Sequence, residues 1–247
     1  MATALVTGVS RRAGIGFAIA RRLLDRGDRV VVHSWAAHDA QQPWGSDDLT
    51  AVLAELGHPP HVSADLADPR APAAVVAQAR AAAGPLTTLV ANHARSATGG
   101  LAEVTAAELD LCFAANARGS VLLTQAFAAQ YEPAAGPGRV VLFTSGQHRG
   151  PMAGELAYAL SKGAIQSITL SLADGLAEQG ITVNCLNPGP TDTGWADPGT
   201  REQVAAAMPG GRWNNPDDAA AVVAWLTGPD AGSVTGQTLD AEGGFRR

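Results

Sequence analysis

The sequence predicts an α/β fold: a doubly wound, three-layer sandwich in which helices cover both faces of a mainly parallel, seven-stranded sheet. Three observations predict it. Short β-rich runs alternate with helical patterns from end to end of the 247 residues. A glycine-rich turn joins the first strand to the first helix. No linker, repeat or low-complexity tract divides the chain, beyond a general richness in alanine. Alternation of this kind implies right-handed βαβ units, and these need a parallel sheet covered on both sides.

The elements follow in order. The first strand, Ala2 to Val6, is an apolar run ending in Thr7-Gly8, and the helix from Gly14 to Asp25 follows, with apolar periodicity from Phe17 to Leu24. The valine-rich run Arg29 to Ser34 is the second strand, and Asp47 to Leu56 the next helical pattern. His61 to Ala64 is a short third strand before the alanine-rich helix Pro69 to Ala83. Thr88 to Ala91 is the fourth strand, followed by one long helical pattern, Thr105 to Gln130. Arg139 to Thr144 is the fifth strand, and a second long helix, Gly154 to Glu178, leads to the sixth, Ile181 to Leu186. Pro216 to Thr227 is the last helix and Thr238 to Asp240 the last strand. Ligands of such sheets bind beyond the carboxyl ends of the strands, where the strand order reverses.

One domain, residues 1–247, is expected, and it is long enough to bury a substantial core. Apolar residues make up 46% and charged residues 16%, and the formal charge of −6 has no basic block to balance it. Nucleic acid and anionic membranes are therefore poor partners. The start runs straight into an apolar strand without a basic leader, and no run of about 18 apolar residues follows. A cytoplasmic protein with no membrane partner is expected. Cys112, in a helical pattern, and Cys185, in a strand pattern, have no metal-ligand spacing; they read as core residues, with no metal and no disulfide framework.

The most informative stretch runs from Thr144-Ser145 to Tyr158 and Lys162. Tyr158 and Lys162 lie four residues apart in a helical segment, so both project from one face and can act on one small molecule. A tyrosine normally titrates near pH 10, and a fixed cation nearby favours phenolate by roughly 1 to 3 units. The pairing therefore reads as a phenol tuned towards general acid-base catalysis. Tyr131, the other tyrosine, has Ala135 at the same spacing.

The first strand ends in Thr7-Gly8-Val9-Ser10-Arg11-Arg12-Ala13-Gly14-Ile15-Gly16. Glycines at a strand-to-helix turn let the backbone approach a pyrophosphate, and the helix start supplies unpaired N–H groups and partial positive charge. This is a candidate dinucleotide site on a Rossmann-type fold. NAD sites usually place an acid near the end of the second strand, whereas a 2′-phosphate needs cations there. Here that end reads Val32-His33-Ser34-Trp35-Ala36, with no acid before Asp39, while Arg11 and Arg12 lie in the first turn. NADP(H) is therefore favoured over NAD(H), unless the arginines are solvated and Asp39 curls back to an NAD ribose.

On these motifs the chain resembles the short-chain dehydrogenase/reductase family, in its single-domain branch, over essentially its whole length, and within it the 3-oxoacyl thioester reductases. Thr7-Gly8 to Gly14-Ile15-Gly16 resembles the family's Thr-Gly-x-x-x-Gly-x-Gly, with five residues between the first two glycines where the family has three. Ala64-Asp65-Leu66 resembles the acidic turn that meets adenine. Val90-Ala91-Asn92-His93-Ala94 stands where the family has Val-Asn-Asn-Ala-Gly, keeping only the middle Asn, Asn92. Asn116 and Ser145 fall where the family carries the remaining members of its catalytic tetrad. Pro188-Gly189-Pro190-Thr191-Asp192-Thr193 resembles the segment that flanks the nicotinamide, and Val234-Thr235-Gly236-Gln237 to Gly243-Gly244 the C-terminal strand and turn.

The resemblance implies a function. Tyr158 exchanges a proton with a carbonyl oxygen as hydride moves to or from the nicotinamide, Ser145 holds that oxygen, and Lys162 binds the nicotinamide ribose and lowers the phenol's pKa. Asn116 anchors a water that links Lys162 to solvent. Cofactor contacts are implied for Gly8, Ser10, Arg11, Arg12, Gly14, Ile15, Gly16, Ser34, Asp65, Leu66, Asn92, Tyr158, Lys162, Pro188, Gly189, Thr191 and Thr193. The substrate is a small carbonyl or alcohol, and a homotetramer or homodimer forms through the two long helices and the C-terminal strand. His93 and His148 read as polar lining. The segment around 190–215, with Trp195 and Trp213, reads as a substrate lid. Two other functions stay open: an NAD-dependent alcohol dehydrogenase of the same fold, and a dinucleotide-sensing protein without catalysis.

Overall fold

In the computed structural model, which describes residues 1–246, seven strands form one sheet in the order β3-β2-β1-β4-β5-β6-β7. They are β1 (Thr3–Thr7), β2 (Arg29–Ser34), β3 (His61–Ser63), β4 (Thr88–Ala91), β5 (Gly138–Phe143), β6 (Ile181–Asn187) and β7 (Thr238–Asp240). Every neighbouring pair is parallel, so the sheet expected to be mainly parallel is wholly so. The helices are α1 (Ile15–Asp25), α2 (Ala36–Asp39), α3 (Leu49–Glu55), α4 (Ala71–Ala83), α5 (Ala106–Cys112), α6 (Gly119–Gln130), α7 (Leu156–Leu176), α8 (Pro198–Ala207) and α9 (Pro216–Leu226).

Alternation along the strands divides the core in two. Leu5, Val31, Leu89, Val140, Leu142 and Val183 face one way and pack with Val75, Leu123, Phe127 and Ile165 from α4, α6 and α7. Ala4, Val6, Val30, Val32, Val90 and Val141 face the other way and meet Phe17, Ile19, Leu23, Val52 and Val223 from α1, α3 and α9. Strands buried on both faces need such near-continuous apolar runs. Cys185 is buried in the first of these layers, and Cys112 is buried with its thiol near Glu108.

Several boundaries differ from the expected ones for local reasons. The third helix starts at Leu49 because the Asp48 carboxylate accepts the Thr50 N–H and caps it there. The seventh starts at Leu156, and its last turn tightens into a 3₁₀ turn at Ala177–Gln179. The short α2 falls between the expected second strand and the next helical pattern, where no element was expected. The long pattern Thr105 to Gln130 is not one α-helix, because a π-helical turn at Phe113–Arg118 separates α5 from α6.

That turn has partners outside its own helix. The His93 Nε2–H donates to the Ala115 carbonyl at 2.9 Å, and the Ser120 hydroxyl to the Asn116 carbonyl at 2.7 Å. Side chains thus take up carbonyl groups whose usual hydrogen bonds a π-turn displaces. Gly119 leaves the needed room, since a Cβ there would meet His93 Nε2 at 3.3 Å and the Leu66 carbonyl oxygen at 3.1 Å.

Candidate active site

The strand order reverses between β1 and β4, and the glycine-rich turn leaves β1 at this point. Gly8 has φ +76°, which favours glycine, and a Cβ there would lie 2.8 Å from the His93 Cα. A Cβ on Gly16 would lie 2.3 Å from the Gly8 carbonyl oxygen. The Asn92 amide fastens the turn, donating to the carbonyls of Thr7 at 3.1 Å and Gly8 at 3.3 Å. Gly14 precedes α1 without a side-chain cap, and the first turn of α1 holds no acidic residue. Its N–H groups are therefore left for a ligand, and the dipole there favours an anion. This bare, close-packed turn fits the diphosphate of a dinucleotide.

The two extra residues of the turn form an outward bulge. The Gly14 N–H donates to the Arg11 carbonyl at 3.0 Å, and Arg12 is exposed. Arg12 is committed to surface carboxylates, to Asp47 through its backbone N–H at 2.7 Å and to Glu55 at 2.9 Å. Of the two arginines expected to meet a 2′-phosphate, only Arg11 reaches across the sheet end. Its guanidinium donates to the Thr193 carbonyl at 2.8 Å and lies 5.6 Å from the Trp44 ring centroid. Ser34 is turned aside, its hydroxyl paired with His61 Nε2 at 2.8 Å. Asp65 accepts the Ala67 N–H at 2.9 Å, and the Leu66 side chain is buried in the core.

Sequence reasoning missed a strap formed by residues 36–45. His38 on α2 accepts the Ser96 N–H at 3.1 Å, and Asp39 accepts the Ser10 hydroxyl at 2.5 Å and the Trp44 indole N–H at 3.2 Å. These bonds span the ends of β2, β1 and β4. No local pattern in 36–45 announces contacts to loops after other strands.

The four residues expected to be catalytic come together at the carboxyl end of β5. A hydrogen bond joins Ser145 to Tyr158, and the Lys162 Nζ lies 5.7 Å from the Tyr158 ring centroid. Asn116 in the π-turn does not offer a free side chain. Its amide donates to the Arg95 carbonyl at 3.0 Å and to the Ser161 hydroxyl at 2.9 Å, and its Oδ1 accepts the Arg95 N–H at 2.6 Å. Ser161 passes its own proton to the Tyr158 carbonyl at 2.7 Å. Asn116 thus ties the loop after β4 to the turn of α7 that bears Tyr158, and any water it anchors must use its backbone. Ser161, inside the Tyr-to-Lys motif, had no role assigned.

Electrostatics correct the expected tuning of the phenol. Burial pushes Tyr158 up to about 12, Glu155 adds to this, and only the Ser145 hydrogen bond opposes it. Lys162 does not win, because its ammonium is buried and donates to the Phe143 carbonyl at 3.0 Å. Burial lowers Lys162 itself to about 8. The site therefore holds its phenol protonated at neutral pH.

On the opposite wall, the Gly189 N–H donates to Asn187 Oδ1 at 3.0 Å, and Asn214 donates to the Pro188 carbonyl at 3.1 Å. Gly189 has φ +64° and lies against Glu242, where a Cβ would meet the Glu242 Cα at 2.7 Å. Thr191 is spent on the carbonyls of its own loop. Beyond it, α8 lies in the chain between Trp195 and Trp213, whose rings meet at 5.9 Å. His148 pairs with Asp240 at 2.9 Å.

His93 is buried beneath the nucleotide turn. Its Nε2–H is used on Ala115, so its Nδ1 accepts the Thr7 hydroxyl proton at 2.9 Å. The second contact requires an unprotonated Nδ1, and so the neutral ring. Burial lowers His93 to about 3 and His33, 6.4 Å away, to about 4, from an ordinary 6.5. Below pH 6.5 the unfolded chain therefore binds protons that the folded chain refuses, and stability is lost as pH falls towards 4 and then 3. For His33 alone the gap is worth about 3 kcal/mol. Urea denaturation at pH 7 and pH 5 should give a lower unfolding free energy at pH 5, and equal values would contradict this placement.

Comparisons with known proteins agree in kind. A family model described as enoyl-(acyl carrier protein) reductase matches residues 8–246. An uncharacterized oxidoreductase of Bacillus subtilis, YjdA, is 37% identical over 99% of this chain and 96% of its own length. The crystal structure of BdcA in complex with NADPH superposes with a TM-score of 0.85 at 33% identity, covering 99% of this chain and 94% of that one. A short-chain dehydrogenase from Burkholderia cenocepacia in complex with NADP gives 0.84 at 34% identity, with 98% and 96% covered.

Proposed function

Because the chain belongs to the short-chain dehydrogenase/reductase family of oxidoreductases, we propose that it is an NADP(H)-dependent reductase of a small carbonyl compound, with Tyr158 as its general acid/base. The observation that carries this reading is the protonated Tyr158 phenol, bonded to Ser145 and backed by Lys162, across from a bare glycine-rich turn. The nicotinamide supplies the hydride when bound. Gly8, Ser10, Arg11, Gly14, Ile15 and Gly16 would hold the adenosine diphosphate half. Pro188, Gly189, Thr193 and Lys162 would flank the nicotinamide riboside, and Asn92 keeps the turn in shape.

Ser145 holds the carbonyl oxygen, and Tyr158 gives that oxygen its proton. Lys162 lies behind the ring with its ammonium 5.7 Å from the centroid and would bind the nicotinamide ribose. Asn116 and Ser161 keep the Tyr158 turn in place. The NADPH and NADP complexes of BdcA and the Burkholderia dehydrogenase support the cofactor choice. The decisive experiment incubates the protein with NADPH and a panel of small aldehydes and ketones. Carbonyl-dependent loss of NADPH absorbance is expected, and none across the panel would overturn the reading.

One observation favours the NAD reading. Asp39 does curl back to Ser10 in the first turn, where a carboxylate can accept ribose hydroxyls. Titration with both cofactors separates the two: NADP⁺ should bind at least tenfold more tightly, and the reverse order would assign Asp39 to an NAD ribose.

A homotetramer or homodimer completes the proposal. Leu111 and Phe113 at α5 and the π-turn, and Leu160, Ile168 and Leu170 on α7, leave large apolar side chains exposed. Light scattering should give a mass of two or four chains, and the mass of one chain would contradict it.

A further inference from the structure

We propose that His148 and Asn187 are positioning residues for hydride transfer: through one carboxylate, Asp240, they tie the loop that carries Ser145 to the wall that flanks the nicotinamide, and so set the distance between the carbonyl carbon and its hydride donor. The proposal rests on the reading of Ser145 and Pro188-Gly189 given above and adds what fixes the gap between them.

Three strand ends meet in this brace. His148 closes the 3₁₀ turn Gly146–His148 that follows Ser145 after β5, Asn187 is the last residue of β6, and Asp240 the last of β7. Asn187 and Asp240 stand opposite each other in the β6–β7 register. Asp240 Oδ1 accepts from both partners, from His148 Nε2 at 2.9 Å and from Asn187 Nδ2 at 2.8 Å.

Asn187 is fully buried, and both ends of its amide are used. Its Nδ2 also donates to Glu242 at 2.7 Å, and its Oδ1 accepts the Gly189 N–H at 3.0 Å. The path from the turn after Ser145 to the Gly189 backbone is therefore continuous, through His148, Asp240 and Asn187. Gly189 has little slack against it, because a Cβ there would meet the Glu242 Cα at 2.7 Å. Asn214 holds the same wall from another side, donating to the Pro188 carbonyl at 3.1 Å and to the Ala241 carbonyl at 2.6 Å. Both asparagines thus fasten the wall to the chain leaving β7, and His148 fastens the Ser145 loop to the same post.

The sheet alone does not fix this gap. Ser145 and Gly189 lie beyond Phe143 and Leu186, the last residues paired between β5 and β6. Hydrogen bonds to a carboxylate are roughly twice as strong as neutral ones, and a buried network whose members are satisfied is rigid. Arg149 reaches Asp240 and Glu242 only at 3.7 and 3.9 Å and is more than half exposed, so it adds charge but little geometry. Misplacement of reacting groups by about 1 Å can cost on the order of 10²-fold in rate.

His148→Ala cuts the link between the loops and leaves every bond of Asn187 in place. The His148 side chain is 24% exposed, so its loss should not unfold the protein. The probe is 4-nitrobenzaldehyde, whose electron-poor carbonyl accepts hydride readily. In stopped-flow single turnovers with NADPH, hydride transfer should be at least tenfold slower in His148→Ala, with NADPH affinity within twofold of wild type and a larger isotope effect from NADPH deuterated at C4. His148→Gln keeps a donor at the reach of Nε2 and should bring transfer back within threefold. Hydrogen exchange of the NADP⁺-loaded protein is a readout independent of turnover: residues 187–191 should exchange faster in His148→Ala and as in wild type in His148→Gln. Unchanged transfer in His148→Ala, an equal loss in both variants, or unchanged exchange at 187–191 would each overturn the proposal. If the wild type reduces no carbonyl while exchange still quickens in His148→Ala, the brace stands and the reductase reading falls.

Discussion

Tyr158→Phe is expected to abolish turnover while leaving the fold and NADPH affinity nearly as they are. The substitution removes one hydroxyl, the group that hands a proton to the carbonyl oxygen. The ring remains, and with it the face against which the Lys162 ammonium lies at 5.7 Å. General acid-base catalysis contributes on the order of 10² to 10⁴-fold, so the variant should keep at most about a hundredth of the activity. Loss of the hydroxyl leaves Ser145 facing a cleft that water can enter, and melting should change little. Steady-state rates together with NADPH titration measure the two parts. Retention of more than a few per cent of activity would sink the assignment, and loss of NADPH binding would mean that Tyr158 holds the cofactor more than the proton.

Gly16→Ala should have an effect of similar size by another route. Gly16 is the second residue of α1, where alanine is a better helix former by ~1 kcal/mol. Sterics decide otherwise. The new Cβ would lie 2.3 Å from the Gly8 carbonyl oxygen and 2.7 Å from the Asn92 amide nitrogen. The first contact is backbone of the turn itself, so relief requires the turn to open. Overpacking of this kind costs about 1–3 kcal/mol, which outweighs the helix gain. Opening the turn also removes the close approach that a diphosphate needs. NADP⁺ affinity by calorimetry should fall at least 100-fold, with a lower urea midpoint; unchanged affinity would show that the diphosphate does not sit on this turn.

Much of the fold was legible because periodicity reports burial. The runs at Arg29–Ser34 and Thr88–Ala91 form strands within the expected limits, since strands covered on both faces must be largely apolar, and the edge strand Thr238–Asp240 also keeps its expected limits. The π-turn was not legible. Residues 105–130 have ordinary helical composition, and the turn is stabilised by His93, twenty or more positions earlier in the chain. No local pattern encodes a partner at that distance. The strap likewise depends on contacts from His38 and Asp39 to loops after other strands.

The candidate site divides in the same way. The sequence by itself determined which chemistry-bearing residues exist and that they lie at strand ends or helix starts: Gly8 to Gly16, Ser145, Tyr158 with Lys162, and Pro188-Gly189. Only the tertiary structure decided their states. It commits Arg12 to Asp47 and Glu55, turns Ser34 towards His61, and uses the Asn116 amide on Arg95 and Ser161. Above all it reverses the direction in which Tyr158 is tuned. A four-residue spacing announces a neighbouring cation, but proton affinity depends on how much water the fold removes and where the ammonium's hydrogen bonds go. Those are properties of three-dimensional packing, which spacing along the chain does not contain.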